Sequence, residues 1–214
     1  MTDLATARQI LDTLIGFDTT SRNSNLALIE WVEAYLARHG VESQRVPNED
    51  GRKANLFATC GPKVEGGVIL SGHTDVVPID GQDWSSDPWT VREADRKLFG
   101  RGVADMKGFI ALALAFVPRF VAGKLPVHLA LSYDEEVGCQ GAPAMIARMA
   151  QDIPSPRLAI VGEPSLMGII TGHKGIAVHE VSVRGHAAHS SLVDHGISAN
   201  AVAVGLMHEL LALA

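Results

Sequence analysis

Histidine and carboxylate residues stand at the ends of apolar runs in this sequence, a pattern suited to holding divalent cations and moving protons. Val68-Ile69-Leu70-Ser71-Gly72 runs into His73-Thr74-Asp75, Val127 to Tyr133 into Asp134-Glu135-Glu136, and Leu158 to Gly162 into Glu163. A further acid, Asp105, sits in the Gly-punctuated stretch Gly100-Arg101-Gly102-Val103-Ala104-Asp105-Met106-Lys107-Gly108. In open α/β sheets, ligands bind beyond the carboxyl ends of the strands. Three strands delivering imidazole and carboxylate to that edge therefore point to one common site. Adjacent acids after a buried strand repel one another and lose water, and a divalent metal is the usual compensation. His73 and Asp75 are two residues apart, so continued strand geometry turns both to one face. An Asp behind a metal-bound His fixes its tautomer and raises its basicity, which assigns Asp75 to orientation rather than ligation.

Each feature alone has a plainer reading. A histidine at a strand end is usually a satisfied polar residue, and a Glu-Glu pair is usually a solvated turn. Gly100-Arg101-Gly102 lacks the third spaced glycine and follows no apolar strand, which excludes a dinucleotide fingerprint. The conjunction of all four segments carries the metal reading.

These segments need a scaffold. Leu4, Ala7, Ile10, Leu11 and Leu14 recur at helical spacing over residues 3–17, and a second helix is expected from about Asn25, as N-cap, to His39, stopped by Gly40. Strands are expected at 41–46, 55–59, 68–71, 127–132 and 158–161. Residues 80–89 read as a loop, and helices are expected at 107–122, with Pro118 ending or kinking it, and at 142–150. This alternation predicts an α/β fold, an open mixed sheet flanked by helices, over residues 1–174. From 175 the parity of Ala177 to Arg184 predicts a strand of a second, small α+β domain, followed by a helix over 198–211. A domain of about 40 residues is marginal without a partner, so residues 175–214 read as the start of a larger unit.

The 214 residues are 47% hydrophobic and 20% charged with a formal net charge of −6, ordinary values for a globular chain and unsuited to a nucleic-acid partner. The longest apolar stretches fall well short of the roughly 20 residues of a membrane span. The N-terminus has no signal pattern, so a cytoplasmic location is expected. Cys60 and Cys139 lack paired C-x-x-C spacing, which suggests neither a disulfide framework nor a metal site. Cys139 is expected as a bystander beside the acidic motif.

Taken together, Ser71 to Pro78, Gly100 to Gly108, Asp134 to Gly138 and Gly162 to Ser165 resemble the motif set of the two-zinc aminoacylase and deacetylase family, in the right order and spacing. That family includes acetylornithine deacetylases, succinyl-diaminopimelate desuccinylases and related exopeptidases. The resemblance implies a zinc-exopeptidase-like catalytic domain with one zinc held by His73, Asp105 and Glu163. It implies a second zinc held by Asp105, as bridge, and Glu136, with Co2+ a possible replacement. It implies Glu135 as general base and Asp75 as the partner of His73. Residues 80–89, 132–139 and 172–175 are more similar to acetylornithine deacetylases than to their siblings. This implies hydrolysis of an N-acyl amino acid, N2-acetyl-L-ornithine above all, in arginine biosynthesis. Arg184 to Ser191 resembles the start of the family's lid domain, which implies homodimerisation through the lid and places His189 on the substrate carbonyl. His186, His195 and His208 have no such match and are expected at the surface. The resemblance also implies a last zinc-ligand histidine from the family's C-terminal portion, which lies outside these 214 residues.

Overall fold

The computed structural model describes residues 3–172 and 174–213. The chain divides into two compact units, Met1–Gly168 and Ile169–Ala214. In the first unit the elements run α1 (Asp3–Ile15), α2 (Leu26–Arg38), β1 (Ser43–Pro47), β2 (Ala54–Cys60), β3 (Val68–His73), β4 (Arg92–Ala94), β5 (Lys97–Phe99), α3 (Lys107–Ala115), α4 (Val117–Val121), β6 (Val127–Ser132), α5 (Ala142–Asp152) and β7 (Leu158–Val161). Five strands form one mixed sheet in the order β1-β2-β6-β3-β7. β1, β2 and β6 pair antiparallel, whereas β6, β3 and β7 run parallel. The three strands that end in His73, Ser132 and Val161 therefore finish at one edge of the sheet.

Strand alternation divides the core into two layers. Leu56, Ala58 and Cys60 of β2 and Leu129 and Leu131 of β6 face the helical layer of α1 to α4, while Phe57 and Ala130 face Met145 and Met149 of α5. In α1, Ala7, Ile10, Leu11 and Leu14 are buried as their spacing predicts, but Leu4 is 74% exposed. The helix expected over 107–122 is broken at Phe116, just before Pro118 near the start of α4. A proline there costs nothing in a first turn, whose N–H groups lack intrahelical partners anyway. Asn25 precedes α2, but its side chain makes no cap. It accepts from the Ala54 N–H and donates to the Ala54 carbonyl and to Thr74 Oγ1, tying α2 to the loop after β3.

The β4–β5 hairpin has no counterpart in the sequence reading. Its two turn residues, Asp95 and Arg96, both have positive φ. A turn of that shape is normally signalled by Asn-Gly or Asp-Gly, and neither is present.

His128 of β6 is fully buried, with Nδ1 2.9 Å from Thr59 Oγ1 and no partner at Nε2 among the described residues. Burial pushes its pKa down, so the folded state prefers neutral imidazole. The resulting stability is fully present above the unfolded value of about 6.5 and is lost as pH falls below it toward the folded value. His128→Leu is therefore expected to flatten the fall in melting temperature as pH drops below about 6.5. Parallel melting profiles for the two proteins would contradict this.

In the second unit, residues 177–184 form no strand. A strand needs a ladder partner for its backbone groups, and the described residues of this unit supply only the bridge between His186 and Ile197. Ile176 and Val178 are correspondingly about nine-tenths exposed. The helix α6 (Ala199–Ala212) forms as expected, and the Ser198 hydroxyl accepts from the Ala201 N–H as its N-cap. His186, His195 and His208 are exposed. His173, within the 172–175 motif, lies outside the described residues. No helix among the described residues is long and apolar enough to cross a membrane.

Candidate metal centre

His73 closes β3 and is 2% exposed. Its Nδ1 lies 2.9 Å from the Asp75 main-chain oxygen and 3.5 Å from Asp75 Oδ1. Both neighbours are acceptors, so Nδ1 carries a proton and Nε2 is turned outward. Around Nε2 stand Asp105 Oδ1 at 3.0 Å, Glu163 Oε1 at 3.7 Å and Glu135 Oε2 at 3.9 Å. Glu136 joins His73 and Asp105 in one set of converging donor atoms, and Glu135 joins His73 and Glu163 in another, each set spanning no more than 4.8 Å. The structure thus brings together all six of the sequence-predicted residues of this unit. His189, in the second unit, has its Nδ1 2.8 Å from Ser191 Oγ.

Each carboxylate arrives from a different element. Glu163 follows β7, where the Gly162 N–H donates to the Ser71 carbonyl at 3.0 Å. Glu135 and Glu136 follow β6 after a left-handed turn at Asp134, φ 56°. Asp105 sits in the loop before α3. Gly102 there has φ +84°, and a Cβ on Gly108 would lie 2.3 Å from the Val103 carbonyl oxygen, so both positions require glycine. Lys107, fully buried, anchors this loop by donating from Nζ to the carbonyls of Leu14 and Phe17 at 3.0 and 2.8 Å. Burial pushes its amine down to about 7 against the opposing charges of Asp18 and Asp75.

Asp75 is the hub. Its Oδ2 accepts from Ser21 Oγ at 2.7 Å and the Glu136 N–H at 3.2 Å, and its Oδ1 from the Glu135 N–H at 3.1 Å. Burial opposes its charge, but the bonds from His73, Ser21 and the Glu135 amide hold it below the usual carboxylate range. One side chain thus orients the imidazole and fixes the backbone of the two neighbouring acids. Sequence reasoning foresaw the first role and missed the second. Ser21 was missed as well, because its loop, 54 residues from Asp75, carries no motif.

The electrostatics test whether these residues suit a metal. Burial and the charge of Asp105 raise the pKa of Glu136; burial raises Glu163, with Asp105 and Glu135 adding to it against the pull of His73. Burial depresses the His73 imidazolium, but Asp75 and then Glu163 outweigh it and push the group up to about 9. Five carboxylates, counting Asp75, crowd one imidazole, a charge excess that divalent cations neutralise. Nitrogen and carboxylate oxygen are the donors that first-row divalent ions accept. The residues fit the group. Cys139, exposed and free, lies beside this set with its thiol 3.5 Å from Glu135 Oε1, and Cys60 is buried elsewhere.

A model described as peptidase family M20/M25/M40 matches residues 69–208. Acetylornithine deacetylase of Photorhabdus laumondii is 38% identical over 208 residues, covering 94% of this chain and 52% of that protein. The Buchnera aphidicola acetylornithine deacetylase is 32% identical over 213 residues, covering 95% and 53%. The chain spans about half the length of the curated relatives it matches. Among solved structures, a tripeptidase from Staphylococcus aureus superposes with TM-score 0.64 at 15% identity over 97% of this chain and 56% of that one. Human carnosine dipeptidase 1 superposes with TM-score 0.63 at 22% identity, covering 72% and 38%. The fold is that of these peptidases, and the chain belongs to peptidase family M20/M25/M40.

Proposed function

We propose that the chain carries the metal-binding half of a hydrolase that cleaves the amide bond of an N-acyl amino acid, N2-acetyl-L-ornithine first among them. The observation that carries this reading is the convergence of Asp105, Glu135 and Glu163 on the outward nitrogen of His73, with Glu136 beside them. The names of the 38% and 32% identical relatives support the substrate class. It implies the step of arginine biosynthesis that releases ornithine and acetate, in the cytoplasm.

His73, Asp105 and Glu163 would hold one zinc or cobalt ion, and Asp105 and Glu136 would share in holding a second. When bound, such ions polarise the amide carbonyl and lower the pKa of water toward about 7. Glu135 takes a proton from water as its oxygen adds to the carbonyl carbon, then delivers it to the nitrogen as the C–N bond breaks. Asp75 holds the His73 tautomer throughout. Residues 175–214 begin a lid through which two copies pair, and His189 donates to the carbonyl oxygen.

The alternative reading is metal binding without turnover. Ornithine release from N2-acetyl-L-ornithine, measured with added Zn2+ or Co2+, separates the two. Turnover supports the hydrolase. Stoichiometric metal with no turnover of any N-acyl amino acid supports the second reading.

A further inference from the structure

Lys53 stands immediately before β2 and touches none of the convergent donors, yet it spans the two sides of the Asp75 hub. Its ammonium donates to Asp134 Oδ1 at 2.6 Å and to the Ser21 carbonyl. The side chains of Lys53 and Asp134 are only 14% and 12% exposed, so this pair escapes most of the solvent screening that makes surface ion pairs weak. On one side, Ser21 gives its hydroxyl to Asp75 and its N–H to the Val76 carbonyl. On the other, Asp134 begins the turn whose next two N–H groups also bond Asp75.

Asp134 holds φ 56°. Asp, like Asn, tolerates that left-handed backbone, and the Lys53 ion pair fixes the carboxylate of the turn. The base of Lys53 is itself fixed, because its N–H donates to Asn48 Oδ1 at 2.9 Å and the next residue, Ala54, is bonded in both directions to Asn25.

We propose that Lys53, bridging the Ser21 carbonyl and the Asp134 carboxylate, is a positioning residue that closes the Asp75 cage and so sets His73 and the Glu135–Glu136 pair in place for metal. The inference rests on the metal-centre reading above. It acts through the backbone of the two loops, not by contact with metal or substrate. Removing a group that hydrogen-bonds a metal ligand, as Asp75 does His73, typically costs about 10–100-fold in metal affinity, and Lys53 acts through that group.

The test titrates Co2+ into the metal-free chain and its variants, reading the dissociation constant, the visible cobalt bands and the melting temperature before metal is added. Lys53→Met is expected to weaken Co2+ binding about tenfold or more and to shift the bands. Lys53→Arg, which keeps the bridging charge, is expected to restore the wild-type spectrum. Wild-type affinity and bands in Lys53→Met would overturn the proposal, as would a failure of Lys53→Arg to restore them. Should Lys53→Met not fold, Asp134→Asn decides the matter, since Asn tolerates positive φ and loses only the charge. Weakened Co2+ binding at an unchanged melting temperature then supports the clamp, and wild-type binding overturns it. A wild-type chain that takes up no Co2+ fails the metal-centre reading itself, and the clamp falls with it.

Discussion

Replacing Glu135 by Gln is expected to lower kcat for N-acyl amino-acid hydrolysis by about 10²–10⁴-fold, the range general acid–base catalysis supplies. The substitution preserves size and hydrogen-bonding reach but removes the group that accepts a proton. Glu135 is suited to the role by position. Its backbone is held by Asp75, its carboxylate is 3.9 Å from His73 Nε2, and its side chain is about one-third exposed. It can therefore meet both water and substrate. The structure also places it in a donor set with His73 and Glu163, so metal content must be read beside the rate. Lost turnover with unchanged metal stoichiometry marks a base. Lost metal marks a ligand instead, and an unchanged rate removes Glu135 from the chemistry.

His73→Ala is expected to have the broader effect, because His73 belongs to both donor sets. Deleting it leaves carboxylates with no imidazole to orient against. Metal affinity is expected to fall by more than about 100-fold, beyond what loss of an outer partner costs, and hydrolysis with it. The metal-free protein offers an independent readout. The folded imidazolium titrates at about 9, above its ordinary value of 6.5. Its stabilisation is fully present below about 6.5 and is lost as pH rises through 9. Metal-free His73→Ala should melt below wild type at pH 7, and the gap should close as pH passes about 9. Equal metal affinity in the two proteins would remove His73 from the centre.

The site was legible in the sequence where short apolar runs ended in chemistry-bearing residues. Val68 to Gly72, Val127 to Ser132 and Leu158 to Val161 became neighbouring parallel strands, which carried His73, the Glu135–Glu136 pair and Glu163 to one edge. Helical spacing likewise located α1, and Gly40 marked the end of α2. What stayed hidden depends on contacts between distant segments. Ser21 and the backbone amides of 135 and 136 meet Asp75, and Lys53 meets Ser21 and Asp134, only after folding. Asn25 occupies a cap position, yet the Ala54 backbone outcompetes the helix end for its side chain. Residues 177–184 show why parity alone is insufficient, since alternation marks a strand only where a ladder partner exists. The Asp95–Arg96 turn shows the converse, a hairpin formed without the residues that usually announce one.

Crystals of the chain soaked in zinc and measured at the zinc absorption edge bear most directly on the centre. The expected result is an anomalous peak about 2.0–2.1 Å from His73 Nε2, with carboxylate oxygens of Asp105 and Glu163 completing its shell and Glu135 left outside it. A peak elsewhere on the surface, or none beside His73 at saturating zinc, would contradict the assignment of this cluster as a metal centre.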